Sequence, residues 1–242
     1  MSPFSSLIRL NQEGKTEAVT RHLIEMVEVG LLAEGEQLPN ETTLAAQLGV
    51  APVTLRDALA NLRSQGIIET RRGRGGGSFV RARPAIADAE LFARLERLTA
   101  LELRDHADEH VAISGAAAQL AAKRAGADQH RRLARLLAEF ATEVDVKRQR
   151  QLDARFHIEI AVAAQSVRLT HNEVRLQAEL GELLWLPYRG QPDIAAMRVE
   201  HQAILEAIVS NDANLAGALA QAHVSRELRR LTALKLEVMA AD

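Results

Sequence analysis

The chain of 242 residues sets 30 Lys and Arg against 32 Asp and Glu, a net charge of −2, and contains eight His, one Trp, one Tyr and no Cys. The lack of cysteine excludes a disulfide scaffold, thiolate zinc fingers, iron–sulfur ligation and a cysteine nucleophile. No basic–apolar–small leader opens the sequence and no apolar run approaches ~18 residues, which points to a cytoplasmic protein without a membrane span.

Proline and glycine divide the chain. Pro39, Pro52 and Pro84 punctuate the first third, where Gly73, Gly75, Gly76 and Gly77 crowd one loop, whereas Ala85 to Leu186 holds no proline. A proline disfavours helix in the residue before it, so Arg83-Pro84 is the expected boundary between domains 1–83 and 84–242. In the first domain Val19, Leu23, Ile24 and Val27 share one face of a helix over Thr16–Val29, which Gly30 terminates. Asn40 caps a short helix to Leu48, Gly49-Val50 turns the chain, and Pro52 opens a third helix to about Gln65. Ile67–Thr70 and Ser78–Val80 read as strands around an Arg/Gly turn. Three helices and a short β-hairpin predict a winged helix-turn-helix.

Charge supports a nucleic-acid role for this domain. Residues 1–52 carry three basic and seven acidic groups, whereas residues 53–84 carry seven Arg against Asp57 and Glu69, a local net charge of +5. A helix fits the DNA major groove, and glycines let backbone N–H groups approach phosphate. The candidate DNA contacts are Asn40, Thr42 and Thr43 at the second helix, Val53, Thr54, Arg56 and Arg63 on the third, and Arg72, Arg74, Gly75 and Gly76 in the wing. No Gly-Lys-Ser/Thr follows the glycine loop and it leads into a strand, which argues against a nucleotide cradle.

The segments Gly35-Glu36-Gln37-Leu38-Pro39-Asn40-Glu41, Leu44-Ala45-Ala46-Gln47-Leu48-Gly49-Val50 and Leu55-Arg56-Asp57-Ala58-Leu59, with a wing ending in Phe79-Val80, resemble a GntR-family transcriptional regulator over about residues 14–82. The resemblance implies a homodimer that reads a palindromic operator on double-stranded DNA. Two positions depart from the family pattern: Ala51-Pro52 replaces a Ser/Thr-Arg pair, and Thr42 stands where Arg is frequent. Ala51 offers no side-chain cap, a loss of ~1 kcal/mol that Pro52 at the first helical position partly offsets.

The proline-free region, rich in Ala, Leu, Glu and Arg, reads as consecutive helices in a mainly α chain. Asp153 and His157 lie at i, i+4 on one helical face, and His201 and His223 each sit in a stretch apolar enough to face a core. One carboxylate and three imidazoles suit a divalent transition metal, Zn foremost with Ni, Mn or Co as alternatives. From spacing alone, an exposed i, i+4 ion pair and hydrogen-bonded core histidines are the commoner outcome for such residues.

Leu120-Ala121-Ala122-Lys123-Arg124, Asp153-x-x-Phe156-His157, His201-x-x-Ile204-Leu205-x-Ala207-Ile208 with Asp212 and Ala216, and then His223, are similar to the FCD effector-binding domain of the FadR subfamily. That resemblance implies an antiparallel all-α bundle, one divalent metal per chain on Asp153, His157, His201 and His223, and a small-molecule effector, a carboxylate, beside it. It further implies a repressor rather than an enzyme. His110 and Ser114 stand where the family often has Arg and Glu, and Gln165-Ser166 where Asn is common, so the usual Arg clamp on a carboxylate is missing. Arg104, His110, Arg155, Trp185 and Tyr188 are the candidate effector contacts. The alternatives from the residues are a metalloenzyme domain fused to a DNA-binding head, and a constitutive DNA binder with a structural metal.

Overall fold

Residues 15–81, 86–187 and 192–241 are described by the computed structural model, and the chain divides into two units, Met1–Pro84 and Ala85–Asp242. Arg83, Pro84 and Tyr188 lie outside the described residues.

The first unit holds α1 (Lys15–Glu28), α2 (Glu41–Leu48), α3 (Pro52–Ser64), β1 (Ile68–Arg71) and β2 (Gly77–Val80), the winged helix-turn-helix expected from the sequence. Val19, Leu23, Leu48, Leu55, Leu59 and Leu62 are buried and close its core. Asn40 Oδ1 accepts the Thr43 N–H at 2.9 Å and starts α2, and Gly49 ends it at φ 65°. Ala51 makes no capping bond, and Pro52 opens α3 in its place. β1 and β2 pair antiparallel from Ile68 opposite Val80 to Arg71 opposite Gly77. Gly76 is required in the wing, because a Cβ there would stand 2.5 Å from the Arg71 carbonyl oxygen. One pairing escapes sequence reading: residues 35–38 add to the open edge of β2 through Leu38 N–H to Ser78 O at 2.9 Å and Val80 N–H to Glu36 O at 3.0 Å.

The second unit contains α4 (Asp88–Arg97), α5 (Ala100–Arg124), α6 (Ala127–Thr142), α7 (Val146–Ala163), α8 (Val167–Leu184), α9 (Ile194–Val209) and α10 (Ala213–Ala241). The caps are local: Thr99 and Glu102 form a capping box on α5, and Asp145, Ser166 and Asp193 accept N–H groups at the starts of α7, α8 and α9. Gln165 takes a positive φ of 52° ahead of Ser166, where a long side chain is unusual, and its amide donates to Arg124 O at 2.8 Å. No helix among the described residues is long and apolar enough to cross a membrane.

Small residues bring the bundle axes together. Ala117, Ala118, Ala121 and Ala122 of α5 pack with Phe156 and Ile160 of α7, Ile204 and Ile208 of α9, and Ala216 and Ala220 of α10. Helices α5 and α10 run antiparallel with a reciprocal fit: Gly115 faces Gln221, and Gly217 faces Gln119. A Cβ on Gly115 would stand 2.5 Å from Gln221 Cγ, and one on Gly217 would meet Gln119 at its Cγ as well. A second, Leu-rich layer joins Leu91 and Leu95 of α4 to Leu103, Leu180, Leu183, Leu228 and Leu231. The Ala-rich layer holds the mid-sections of α7 and α9, and both layers hold α10, in fixed rotation, so side chains at 153, 157, 201 and 223 are buried.

Gly217→Ala is expected to lower the unfolding midpoint. Overpacking of ~1–3 kcal/mol exceeds the ~1 kcal/mol that Ala adds to a helix interior. In a Gln119→Ala background the same change is expected to be neutral or stabilising in urea titrations, since the obstructing side chain is gone. An equal loss in both backgrounds would contradict this account of the helix contact.

Candidate functional site

The candidate DNA contacts of the first unit lie on α2, α3 and the wing. Thr42, Thr43, Arg56, Arg72, Arg74 and Gly75 are exposed, Thr54, Arg63 and Gly76 are half-buried, and Val53 is 62% exposed at the start of α3. Asn40 is also exposed, although its side-chain oxygen is engaged by the cap. Arg56 Nε lies 3.1 Å from Glu41 Oε2, which holds the guanidinium at the junction of α2 and α3. This exposed pair costs little to exchange for a phosphate or a base edge. Arg71 is committed to the wing itself, bonded to Glu69 Oε1 at 2.8 Å with its guanidinium 4.3 Å over the Phe79 ring.

In the second unit the four candidate ligands converge. Asp153 and His157 come from adjacent turns of α7, His201 from α9 and His223 from α10, and one ligand atom of each lies within 4.8 Å of the others. His201 Nε2 is 3.2 Å from His223 Nε2 and 3.3 Å from Asp153 Oδ1. All four residues are buried, and Asp153 Oδ1 has no hydrogen-bond partner. Two supports orient the ligands: the Trp185 indole N–H donates to Asp153 Oδ2 at 3.4 Å, and His223 Nδ1 meets Glu200 Oε2 at 2.6 Å. Glu200 is held in turn by Arg226. A proton on Nδ1 toward Glu200 leaves the His223 Nε2 lone pair facing the cluster, the arrangement that a metal-bound imidazole requires.

Electrostatics point the same way. Burial, with His223 beside it, lowers His157 to about 3. Burial and the other imidazoles hold His201 well below its usual value, and burial lowers His223 against the pull of Asp153. Burial raises Asp153 to about 6, opposed by His223 and Trp185. Three neutral imidazoles and one carboxylate, with an orphaned buried oxygen among them, form a donor set that fits a divalent cation.

A cavity of about 10 Å³ adjoins the cluster, lined among others by His110, Gln177, Trp185, Met197 and Glu227. Of the candidate effector contacts, His110 and Trp185 therefore reach it. Arg104 is exposed and paired with Asp105, and Arg155, half-buried on α7, is not in the lining. Behind His110 stands a network that sequence reading did not find. Glu173 accepts from Ser114 Oγ at 3.0 Å and from Gln177 Nε2 at 3.0 Å, and its Oε1 is 3.3 Å from His110 Nε2. Burial pushes the Glu173 carboxyl up, but His110, His157 and Gln177 outweigh it and bring the group down to about 2. Glu173, Glu200 and Glu227 look like solvated helix charges in the sequence; only their position in three dimensions distinguishes them.

These shifts set a pH dependence for the metal-free protein. Between about pH 3 and pH 6.5 the unfolded chain protonates imidazoles that stay neutral in the fold, so stability rises with pH there. Asp153 acts oppositely between about pH 4 and pH 6, where the fold retains its proton, but three imidazoles outnumber one carboxyl. Chelator-treated protein is thus expected to melt at a higher temperature near pH 7 than near pH 5 in differential scanning. A flat or falling profile would contradict the neutral-imidazole cluster.

Known proteins share both units. Residues 15–77 match the family described as bacterial regulatory proteins, gntR family, and residues 105–226 match the FCD domain. A protein of Mycobacterium gastri named as the HTH-type transcriptional regulator RmpR is 36% identical over 240 residues, covering 97% of this chain and 87% of its own. A protein of Escherichia coli strain K12 named as an L-lactate dehydrogenase operon regulatory protein is 32% identical over 203 residues, 80% of this chain and 77% of its own. The solved structure of E. coli McbR/YncC aligns over 93% of this chain and 99% of that one, with 18% identity and a TM-score of 0.49. The chain belongs to the GntR family of bacterial transcriptional regulators, DNA-binding proteins rather than enzymes, and carries an FCD effector-binding domain C-terminal to its winged helix-turn-helix.

Proposed function

We propose that this regulator is a repressor that binds a palindromic operator as a homodimer and whose helical domain holds one divalent transition metal, zinc foremost, on Asp153, His157, His201 and His223. A small carboxylate bound beside that metal is its effector. The observation that carries the metal and effector reading is the convergence of four buried ligand atoms within 4.8 Å, one of them an orphaned carboxylate oxygen, next to a cavity. A buried carboxylate oxygen without a donor is costly unless a cation faces it. A metal with open positions takes a carboxylate oxygen directly, so no guanidinium is needed at position 110. The E. coli relative is named for the L-lactate dehydrogenase operon, and lactate is such an acid.

Regulation then follows from linkage. An effector that binds one arrangement of the bundle more tightly than another shifts the population toward it, and operator affinity changes by the same coupling free energy. The dimer and the repressor direction rest on the family resemblance.

The DNA-reading assignment is tested with zinc-loaded protein and a duplex selected from a random library. The selected site is expected to be a palindrome. Arg56→Ala is expected to weaken binding by roughly tenfold or more and to reduce the slope of log affinity against log salt by about one. An unchanged affinity and slope would remove Arg56, and with it α3, from the interface.

A further inference from the structure

The two oxygens of Asp153 have different surroundings. Oδ1 faces the imidazoles, 3.3 Å from His201 Nε2 and 3.9 Å from His157 Nε2, and has no hydrogen-bond partner. Oδ2 instead accepts the indole N–H of Trp185 at 3.4 Å. That donor is itself anchored. Trp185 ends α8 and is buried, packed with Leu136, Phe140, Leu152 and Met197. Arg230 Nη1 donates to Leu186 O at 2.7 Å, which ties down the residue that follows. Turning the carboxylate to bring both oxygens onto the cluster would strand the indole N–H, and a buried donor without a partner is costly.

We propose that Trp185 is a positioning residue that makes Asp153 a one-oxygen ligand and so sets the preference of the cluster for zinc over manganese. This rests on the metal reading given above and concerns which ion the four residues select. One carboxylate oxygen and three imidazole nitrogens are four donors, the number and type that zinc takes, and zinc expands to five when a further ligand arrives. A carboxylate that offers both oxygens adds a hard donor and raises the coordination number. That change favours manganese, an ion of octahedral, oxygen-rich sites. The indole N–H acts on selectivity through the carboxylate, without touching the ion.

The test uses full-length protein stripped of metal and titrated with zinc and with manganese against a competing chelator. Trp185→Phe keeps an aromatic ring in the core and removes the N–H. It is expected to lower zinc affinity by about tenfold or more, the usual effect of losing the partner of a ligating group, while manganese affinity holds or rises. Benzothienylalanine in place of Trp185 puts sulfur where the N–H was at unchanged ring size. It is expected to give the same result, and it carries the comparison if the smaller Phe ring unfolds the core. Met197→Ala opens the same packing group without touching the donor, and is expected to leave the zinc-to-manganese ratio unchanged. Cobalt supplies an independent readout, because its visible absorption is intense at low coordination number and weak in octahedral sites. The cobalt form of either Trp185 variant is expected to be paler than that of the parent. The proposal is overturned if zinc and manganese affinities keep their ratio when the N–H is removed, if the cobalt spectrum is unchanged, or if Met197→Ala shifts the ratio as far. In those cases the metal reading stands and the role of Trp185 falls. If the parent protein binds neither ion, the metal reading falls and this assignment with it.

Discussion

The second unit is organised around one constraint: four ligand atoms, three of them imidazole nitrogens and one a carboxylate oxygen, share a space 4.8 Å across inside a helical bundle. Each has left water, and the fold supplies too few donors to satisfy them all. The consequences appear in the neighbours. The imidazoles are driven toward the neutral form and the carboxyl toward protonation, while Trp185 and Glu200 hold Asp153 and His223 in place. Three neutral imidazoles and one carboxylate are the donor types that a divalent cation would take, and the depressed imidazoles cost stability in acid.

The surrounding packing exists to hold that geometry. Alanines on α5 and the reciprocal Gly–Gln contacts bring α10 close, which places His223 against His201 and Asp153. Wider side chains at 115 or 217 would push α10 outward and pull one ligand from the group. The DNA-reading unit follows a different logic. Its core is small and Leu-rich, the Arg side chains of its wing and Arg56 are exposed, and its wing depends on Gly76 lying against the backbone of Arg71 and Arg72. A solvated Arg-rich surface is available to phosphate, whereas the four-residue cluster of the second unit is buried.

What the sequence disclosed tracks the range of the interactions involved. The winged helix-turn-helix is legible because its signals are local: Asn40 as a cap, Gly49 and Gly66 as stops, Pro52 as a start, and alternating residues around a glycine turn. Asp153 and His157 announce a shared helical face by their spacing, but His201 and His223 have only apolar surroundings to mark them, and family resemblance joined them to the pair. Pairing of residues 35–38 with β2 left no trace, since Pro39 reads as loop punctuation and no strand pattern precedes it. Glu173, Ser114 and Gln177 escaped for a stronger reason. They lie on two helices about 60 residues apart in sequence, and a buried Glu is indistinguishable from a solvated one until the helix rotation is known. Arg104, also on α5, faces solvent beside Asp105.

The most direct measurement of the central claim is elemental analysis of protein purified without chelator, beside His201→Ala prepared identically. His201 is the ligand least exposed to solvent and touches two of the other three, so its loss should open the centre. The account predicts close to one divalent transition-metal ion per chain in the parent protein and almost none in the variant, with both folded by circular dichroism. Equal metal content in the two, whether near one or near zero, would contradict it.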